Sequence, residues 1–299
     1  MSDPARKRFP FPAITGQDRL KTAYLANVVN PRIGGLLVSG PKGTGKSTVV
    51  HAIGPVLPQR RAVRGCPFGC DPGDPARLCT LCRERVELAP EPRPMRIVNL
   101  PLSCTEDRLI GSVDVEKLLK TGEKAVLPGI LGAANGNILY VDEVNLLPDH
   151  LVDDILDAAA SHWNTIEREG ISVSHPADFV LVGTMNPEEG DLRPQILDRF
   201  PLCVKVETVT DPGLRSDIVR LNLEFEDRPE QFFARFAPME QELRDAIAAA
   251  RALLPRVAAG DEAVAAVARS CAALKVDGQR PDIVIIKTAL TLAALGGRT

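Results

Sequence analysis

Five short runs of aliphatic residues recur through the first two-thirds of the chain, and each is continuous rather than alternating. They are Gly35–Ser39, Arg96–Leu100, Asn137–Val141, Phe179–Gly183 and Cys203–Val209. A strand that is covered on both faces has apolar surroundings on both sides, so its sequence shows an unbroken apolar run. The runs therefore predict five buried strands of one parallel sheet.

Helical patterns lie between these runs, most clearly at Ser47–Ile53 and His150–Ala160. Strands that alternate with helices are typical of an α/β fold with a doubly wound parallel sheet. The segment Pro55–Pro94 interrupts this order, because it is rich in Pro, Gly, Arg and Cys. We expect it to be a loop-like insertion between a helix and a strand.

From about Asp211 the strand runs disappear and alanine-rich helical patterns follow. Asp261 has the character of an N-cap, and Pro281 suits a first helical turn. We predict an α/β domain over 1–210 and a smaller all-α domain over 211–299, which we expect to be incomplete because the chain ends directly after a helix. The three helical patterns are Gln241–Leu254, Asp261–Lys275 and Pro281–Leu295.

Composition narrows the class of protein. The chain has 299 residues, 44% of them hydrophobic and 25% charged, and a net charge of −3. The acidic balance argues against binding to a nucleic-acid backbone, which favours a basic stripe. No run has the length of a transmembrane helix, and the polar N-terminus lacks the apolar core of a signal peptide. We therefore expect a cytoplasmic protein that binds neither nucleic acid nor membrane.

A phosphate-binding loop follows the first strand run. The sequence fits G-x-x-x-x-G-K-[ST] and precedes a helical pattern, which is the context that this motif requires. Its glycines let successive backbone N–H groups surround phosphates, while Lys46 reaches the β and γ phosphates of ATP and Ser47 binds Mg²⁺. The predicted ATP-binding residues of the loop are Gly40, Pro41, Lys42, Gly43, Thr44, Gly45, Lys46, Ser47 and Thr48.

The third strand run ends in two carboxylates, Asp142 and Glu143. A buried strand that brings Asp142 beside the loop would let it join Ser47 in the Mg²⁺ shell. Glu143 would then orient or deprotonate the attacking water. An apolar run that ends in Asp-Glu is common on its own, so the prediction depends on its pairing with the phosphate-binding loop.

Polar groups follow the next strand run. Asn186 would hold the water or the γ-phosphate, although an Asn before a Pro is also a frequent turn residue. Arg193 and Arg199 come soon after it, and an arginine from a neighbouring subunit can neutralise charge on the γ-phosphate. Arg280, just before a helical pattern, could reach the same nucleotide.

Four of the seven cysteines crowd into one part of the insertion, as C-x₃-C-x₈-C-x₂-C. In a cytosolic chain such spacing favours a metal site over disulfides. Zinc is the first choice and an iron–sulfur cluster the second, because spacing alone does not separate them. The candidate ligands are Cys66, Cys70, Cys79 and Cys82.

The order of these motifs resembles the AAA+ I subunit of magnesium chelatase, from about Phe11 to Leu295. The stretch 135–200 carries most of the resemblance. Further matches are Ile14-Thr-Gly-Gln17, which resembles the adenine-side motif, and Val276-Asp-Gly-Gln-Arg280, which resembles the second sensor. The resemblance implies that Asn186 is sensor 1, Arg199 the arginine finger and Arg280 sensor 2, with Arg193 a second candidate contact between subunits. It also implies that 105–129 is the helix-2 insertion, which projects towards partners.

The same resemblance implies a function and an assembly. We expect an AAA+ P-loop core with a five-stranded parallel sheet and a helical lid, forming a homo-oligomeric ring, a hexamer by analogy. ATP hydrolysis with Mg²⁺ would drive insertion of Mg²⁺ or Co²⁺ into a tetrapyrrole by a separate, large chelatase subunit. A D-type subunit or domain with a von Willebrand A fold would be a further partner.

Two features depart from the family pattern. Pro201 stands where a Gly commonly follows the Arg-Phe pair. The four-cysteine insertion at 55–94 is more like the I–D fusion proteins of non-photosynthetic bacteria than the photosynthetic members. An alternative is therefore a MoxR-like ATPase that remodels or matures a partner protein through a von Willebrand A domain. A DNA-handling AAA+ motor fits less well, because 105–129 has no basic cluster.

Overall fold

The structure is a computed structural model of the whole chain, and it describes residues 8–114, 120, 126–168, 170–197 and 199–299. The strands are β1 (Leu36–Ser39), β2 (Gln59–Val63), β3 (Pro90–Pro94), β4 (Ile97–Leu100), β5 (Gly111–Val113), β6 (Val126–Pro128), β7 (Ile138–Val141), β8 (Trp163–Arg168), β9 (Ile171–Pro176), β10 (Val180–Met185) and β11 (Leu202–Lys205). The helices are α1 (Asp18–Val29), α2 (Lys46–Ala52), α3 (Thr80–Arg83), α4 (Glu106–Ile110), α5 (Ile130–Ala134), α6 (Asp149–Ser161), α7 (Pro194–Leu197), α8 (Pro212–Asp227), α9 (Pro229–Leu253), α10 (Asp261–Ala273) and α11 (Arg280–Leu295).

Five strands form the main sheet in the order β11-β1-β10-β7-β4. Three of the strand pairs are parallel with a defined register: β1 with β11, β7 with β10, and β4 with β7. Every residue of β7 and of β10 is buried, which is why these strands read as unbroken apolar runs. The prediction of a five-stranded parallel sheet followed by helices is confirmed.

The chain packs as two compact units. The P-loop unit comprises Met1–Pro58 and Phe200–Thr299, and the middle unit comprises Gln59–Arg199. The first unit joins the N-terminal segment to the C-terminal helices, so this division does not test the predicted domain boundary at residue 210. That boundary stays a prediction. The predicted insertion 105–129 lies partly outside the described residues.

The P-loop unit is held by small clusters of buried side chains. Phe232 and Phe236 of α9 pack against Ala13, with Phe9 beside them. Arg251, also on α9, donates two hydrogen bonds to the backbone oxygen of Val28 at the end of α1. These contacts fix the N-terminal segment and α1 on the helices that follow the sheet.

The middle unit adds three two-stranded antiparallel sheets: β2–β3, β5–β6 and β8–β9. The expectation that Pro55–Pro94 is loop-like is therefore wrong at its edges, where β2 and β3 pair from Gln59↔Pro94 to Val63↔Pro90. Proline-rich β3 can still pair because both strands of a two-stranded sheet are edge strands, and proline is tolerated in an edge strand.

The helical region differs from its prediction in detail. The helix expected at Gln241–Leu254 begins at Pro229, and the preceding helix, Pro212–Asp227, was not predicted. Asp261 is the first residue of α10 and Gly260 is its N-cap, so the assignment of Asp261 as the cap is wrong. Pro281 lies in the first turn of α11, as expected. Among the described residues, no helix combines the length and the apolar character needed to cross a bilayer.

Candidate functional site

The phosphate-binding loop joins β1 to α2 in the P-loop unit. Gly43 and Gly45 have φ angles of 79° and 78°, a left-handed conformation that residues with a Cβ rarely adopt. A Cβ at Gly40 would lie 2.3 Å from the backbone oxygen of Val206, so this position has no room for a side chain. The glycine spacing of the motif is therefore required by the backbone path and by its close packing after β11.

Lys46, the first residue of α2, folds back over the loop. Its Nζ donates hydrogen bonds to the backbone oxygens of Gly40 and Pro41, at 2.5 and 2.7 Å. Thr44 Oγ1 donates to the same Pro41 oxygen at 2.9 Å. Ser47 is half-buried on the first turn of α2, whereas Lys42 and Thr48 are exposed. The ammonium group is thus held at the mouth of the loop, where phosphates would be cradled.

A cavity of about 460 Å³ adjoins this loop within the P-loop unit. Gln17 helps to close it, because its Nε2 donates to the Thr44 backbone oxygen at 2.7 Å. The other amide atom, Gln17 Oε1, is buried and has no hydrogen-bond partner among the described residues. An unpartnered buried acceptor at a cavity fits a ligand that brings a donor. The lining residues are Phe9, Ala13, Ile14, Thr15, Gln17, Lys42, Gly43, Thr44, Gly45, Thr48, Val49, Glu207, Thr208, Val209, Arg215, Ile218, Val219, Leu221 and Asn222.

In the middle unit, Asp142 and Glu143 follow the end of β7. Tyr140 Oη donates to Asp142 Oδ1 at 2.8 Å, and Thr184 Oγ1 on the neighbouring strand β10 donates to the same oxygen. The Glu143 backbone N–H donates to Thr184 Oγ1 at 3.2 Å. Glu143 has a φ of 53°, which is unusual for a residue with a side chain. The network therefore fixes both the carboxylate of Asp142 and the turn that presents Glu143.

Asn186 lies one residue beyond the end of β10 and is buried. Its Oδ1 accepts a hydrogen bond from the Glu188 backbone N–H at 3.3 Å. The side chain therefore caps the turn that follows β10, as is frequent for an Asn before a Pro. This bond uses only Oδ1 and leaves Nδ2 as a hydrogen-bond donor for a ligand. Asp142, Glu143 and Asn186 all stand at the carboxyl ends of the paired strands β7 and β10.

The arginines differ in their surroundings. Arg193 forms an ion pair with Asp149 at the start of α6. Arg199 is half-buried just after α7, and its guanidinium makes no hydrogen bond or ion pair with any described residue. Arg280 is exposed at the first residue of α11 and does not line the cavity. Of the two arginines after β10, Arg193 is paired, and Arg199 has no partner among the residues that the structure describes.

Sequence reasoning missed two groups of residues at these sites. Tyr140 and Thr184 support Asp142, and their signal was a polar group at the end of each apolar strand. Side chains of α8, including Arg215, Ile218 and Asn222, line the cavity. The signal for α8 was its N-cap, Asp211, because the apolar pattern of the helix itself is weak.

The four cysteines of the insertion come together in the middle unit. All four are buried, and their Sγ atoms lie within 4.8 Å of one another, with 3.9 Å between those of Cys66 and Cys79. The Cys79 backbone N–H donates to Cys70 Sγ at 3.2 Å. The predicted clustering of the ligand set is thus present in the structure.

The thiols strongly influence one another's protonation. Hydrogen bonds from Cys70 and Cys79 hold the pKa of Cys66 far below its ordinary value, whereas the hydrogen bond to Cys66 raises the pKa of Cys70. Burial raises the pKa of Cys82 to about 12. Four thiolates this close together repel one another unless a cation lies between them.

Comparison with known proteins shows the family of this chain. The AAA domain (dynein-related subfamily) matches residues 77–200, and the AAA lid domain matches residues 264–299. The magnesium-chelatase subunit ChlI homolog of Methanocaldococcus jannaschii is 50% identical over 97% of this chain and 80% of the relative. Magnesium-chelatase subunit ChlI of a Nostoc species is 48% identical over 97% of this chain and 79% of its own length.

A solved structure agrees with this assignment. A chain in the complex of the magnesium-chelatase subunits BchI and BchD, built on a cryo-EM reconstruction, is 44% identical to this chain. It aligns with a TM-score of 0.59 over 98% of this chain and 91% of that chain. The relatives span nearly the whole sequence, and the predicted order of AAA+ core and helical lid is confirmed. The chain belongs to the family of the magnesium-chelatase I subunit, and it is an AAA+ ATPase.

Proposed function

We propose that this chain is the motor subunit of a metal chelatase. It couples ATP hydrolysis to the insertion of Mg²⁺ or Co²⁺ into a tetrapyrrole that a separate, large chelatase subunit holds. The observation that carries the proposal is the identity of about half of all residues with ChlI subunits over almost the whole chain. The metal that enters the tetrapyrrole is a substrate and is distinct from the Mg²⁺ that accompanies ATP.

The cavity beside the phosphate-binding loop suits ATP. The left-handed glycines direct backbone N–H groups towards phosphates, and Lys46 brings the positive charge that the β and γ phosphates require. The buried Gln17 Oε1 can accept a hydrogen bond from the exocyclic amine of adenine. Apolar lining residues such as Ile14 and Val219 provide surfaces for the base.

The Ser47 hydroxyl and the Asp142 carboxylate are the oxygen ligands that Mg²⁺ prefers. When bound, Mg²⁺ neutralises charge on the β and γ phosphates. Glu143 accepts a proton from the attacking water, whose oxygen forms the new bond to the γ phosphorus while the bond to the ADP oxygen breaks. Asn186 Nδ2 orients the γ-phosphate or the water, and Arg280 contacts the nucleotide from the lid.

The proposal includes an assembly. Identical chains form a ring, a hexamer, in which Arg199 of one subunit acts on the nucleotide of the next. The similarity to a chain of a BchI–BchD complex supports a D-type partner, and we assign it a von Willebrand A domain. A net charge of −3 does not favour binding to nucleic acid, so we propose no nucleic-acid partner. We propose that the motor works in the cytoplasm.

The four-cysteine site is a separate part of the proposal. The compact, buried thiols hold a structural metal, for which zinc and an iron–sulfur cluster are both candidates by ligand type. The four cysteines lie in the middle unit, and none of them is among the residues proposed to bind or hydrolyse ATP.

The function is tested by reconstituting metal insertion. Purified chain, a D-type partner and a candidate large subunit are mixed with a porphyrin, ATP and either Mg²⁺ or Co²⁺. We expect metalloporphyrin to form only with ATP and with the wild-type chain, because the insertion step requires the energy of hydrolysis. Absorbance of the metalloporphyrin measures the product.

The control is Lys46→Ala, which removes the charge that holds the phosphates and should give no product. Insertion that is independent of ATP, or equally fast with Lys46→Ala, would contradict the motor role. If the wild-type chain hydrolyses ATP and responds to the von Willebrand A partner, yet neither metal is inserted, the MoxR-like remodelling function replaces the chelatase function.

A further inference from the structure

We infer that the four-cysteine site holds a single zinc ion and that this zinc clips the β8–β9 hairpin to the insertion. The inference rests on the proposed metal site and deepens it in two ways. It chooses between one ion and a cluster, and it names the element that the metal holds in place.

Distances between the sulfur atoms separate one tetrahedral ion from a four-iron cluster, and zinc is the ion that four-cysteine structural sites usually hold. Around one tetrahedral zinc, with Zn–S bonds of about 2.3 Å, the sulfurs are about 3.8 Å apart. The Cys66–Cys79 separation of 3.9 Å matches this, and all four Sγ atoms lie within 4.8 Å of one another. A four-iron cluster places a different iron under each thiolate, so its cysteine sulfurs lie further apart. The set is too compact for such a cluster.

The surroundings also suit a zinc tetrathiolate, which carries a net negative charge. Arg93 donates to the Cys66 backbone oxygen at 3.2 Å, and Arg60 donates to the Gly69 backbone oxygen at 2.8 Å. The backbone N–H of Cys79 donates to Cys70 Sγ. Positive side chains and N–H donors around the ligands stabilise bound thiolates and fix their orientation.

The cysteine loop is joined to the β8–β9 hairpin through three kinds of contact. Thr80 Oγ1 donates to the Ser174 backbone oxygen at 3.2 Å, and the Ser174 N–H donates back to Thr80 Oγ1 at 3.1 Å. The Phe68 ring stacks on His175 with ring centroids 4.2 Å apart. Ile166 and Val173 belong to the same buried cluster as the four cysteines.

His175 itself is a packing residue in this arrangement and does not compete as a ligand. Its Nε2 meets Asn164 Nδ2 at 2.9 Å, and its Nδ1 meets the Pro176 backbone oxygen at 3.0 Å. Burial lowers the pKa of His175, which favours the neutral ring that donates from Nδ1 and accepts at Nε2. The stack on Phe68 is therefore maintained without any metal bond to the histidine.

Metal analysis and hydrogen exchange test the inference together. We expect the full-length protein to contain about one zinc per chain, without iron or acid-labile sulfide. Removing the zinc with a chelator, or by the double substitution Cys79→Ser and Cys82→Ser, should speed amide exchange in 163–176 at least tenfold. The amides of 36–52 should be unchanged, because they lie in the other compact unit.

Two variants make the result specific. Cys104→Ser changes a buried cysteine outside the set and should keep both zinc and slow exchange. Thr80→Val removes the hydrogen bonds to Ser174 and should keep zinc while exchange of the hairpin rises. Iron with sulfide, or four freely titratable thiols in folded protein, would overturn the zinc assignment. Zinc whose removal leaves exchange in 163–176 unchanged would overturn the clip, and neither result bears on ATP hydrolysis.

A different observation carries a second inference, which rests on the proposed role of Asp142 in binding Mg²⁺. We propose that Thr184 and Tyr140 are positioning residues for that carboxylate. Both hydroxyls donate to Asp142 Oδ1, and both side chains are buried. Because Thr184 also accepts the Glu143 N–H, one hydroxyl links the metal ligand to the turn that carries the base.

The Mg²⁺ dependence of ATP hydrolysis tests this arrangement. Thr184→Val keeps the shape of the side chain but removes the hydroxyl, and it should raise the half-saturating Mg²⁺ concentration by about 10-fold or more. Thr184→Ser should restore the wild-type value, and Tyr140→Phe should show a smaller shift. ATP binding measured without Mg²⁺ should be unchanged in all three.

If Thr184→Val does not fold, Tyr140→Phe remains as the test. Unchanged Mg²⁺ dependence in every folded variant that lacks a hydroxyl, with at most a lower melting temperature, would show that the hydroxyls only stabilise the fold. Asp142→Asn tests the proposed Mg²⁺ ligand separately from the hydroxyls that position it. Unchanged Mg²⁺ dependence in that variant would refute the proposed role of Asp142 as a metal ligand.

Discussion

Glu143→Gln should bind ATP with near wild-type affinity and hydrolyse it about 10²- to 10⁴-fold more slowly, the range expected when a general base is removed. The amide keeps the size of the side chain and cannot take a proton from the water. Lys46→Ala should instead lose ATP binding, because Lys46 contacts the phosphates before any bond is broken. Titration with a fluorescent ATP analogue measures binding, and release of phosphate measures turnover.

The matched control is Glu84→Gln, which removes an exposed carboxylate after α3. It should hydrolyse ATP at the wild-type rate. A Glu143→Gln protein that turns over ATP nearly as fast as wild type would show that another group accepts the proton. Loss of binding in Glu143→Gln would show that Glu143 supports the nucleotide pocket rather than the reaction.

The main sheet could be predicted from the sequence because its central strands are covered on both faces. Ile138–Val141 and Val180–Met185 are buried along their whole length, so burial left a continuous apolar signal. The phosphate-binding loop could be predicted for a related reason. Its glycines are required by local backbone geometry, which does not depend on distant parts of the chain.

The helices after the sheet were harder to predict. In α8 no residue is fully buried, so the 3.6-residue pattern that marks an amphipathic helix is weak. In α9, Pro238 lies inside the helix and hid its first part, since proline usually ends a helix. Asp211, whose side chain accepts from the Leu214 N–H at 2.7 Å, is an N-cap that marked the start of α8.

Some features of the sites could likewise be predicted from the sequence, and others could not. Motif spacing predicts roles for Asp142, Glu143 and the four cysteines, because each chemical role demands a residue type. It does not reveal that Thr184 supports Asp142, since the two meet only when β7 and β10 pair in register. Nor does it give the sulfur–sulfur distances, which separate one zinc ion from a cluster and depend on the folded loop.

Arg199→Ala should bind ATP normally and hydrolyse it about 10³-fold more slowly, because a finger from the neighbouring subunit stabilises charge on the γ-phosphate. Arg199 is suited to this role, since its guanidinium has no partner among the described residues, whereas Arg193 is paired with Asp149. The wild-type rate per subunit should rise with protein concentration as rings assemble. Arg193→Ala serves as the matched control and should retain most activity.

Mixing Arg199→Ala with Glu143→Gln gives the decisive measurement. Each variant is inactive alone, but a mixed ring contains interfaces where an intact Glu143 on one subunit meets an intact Arg199 on the next. In a one-to-one mixture about one interface in four is competent, because two positions are filled at random. Phosphate release should therefore reappear at roughly a quarter of the wild-type rate. If both variants form rings and exchange subunits, yet no activity returns, Arg199 does not act across the interface, and Arg193 replaces it as the candidate finger.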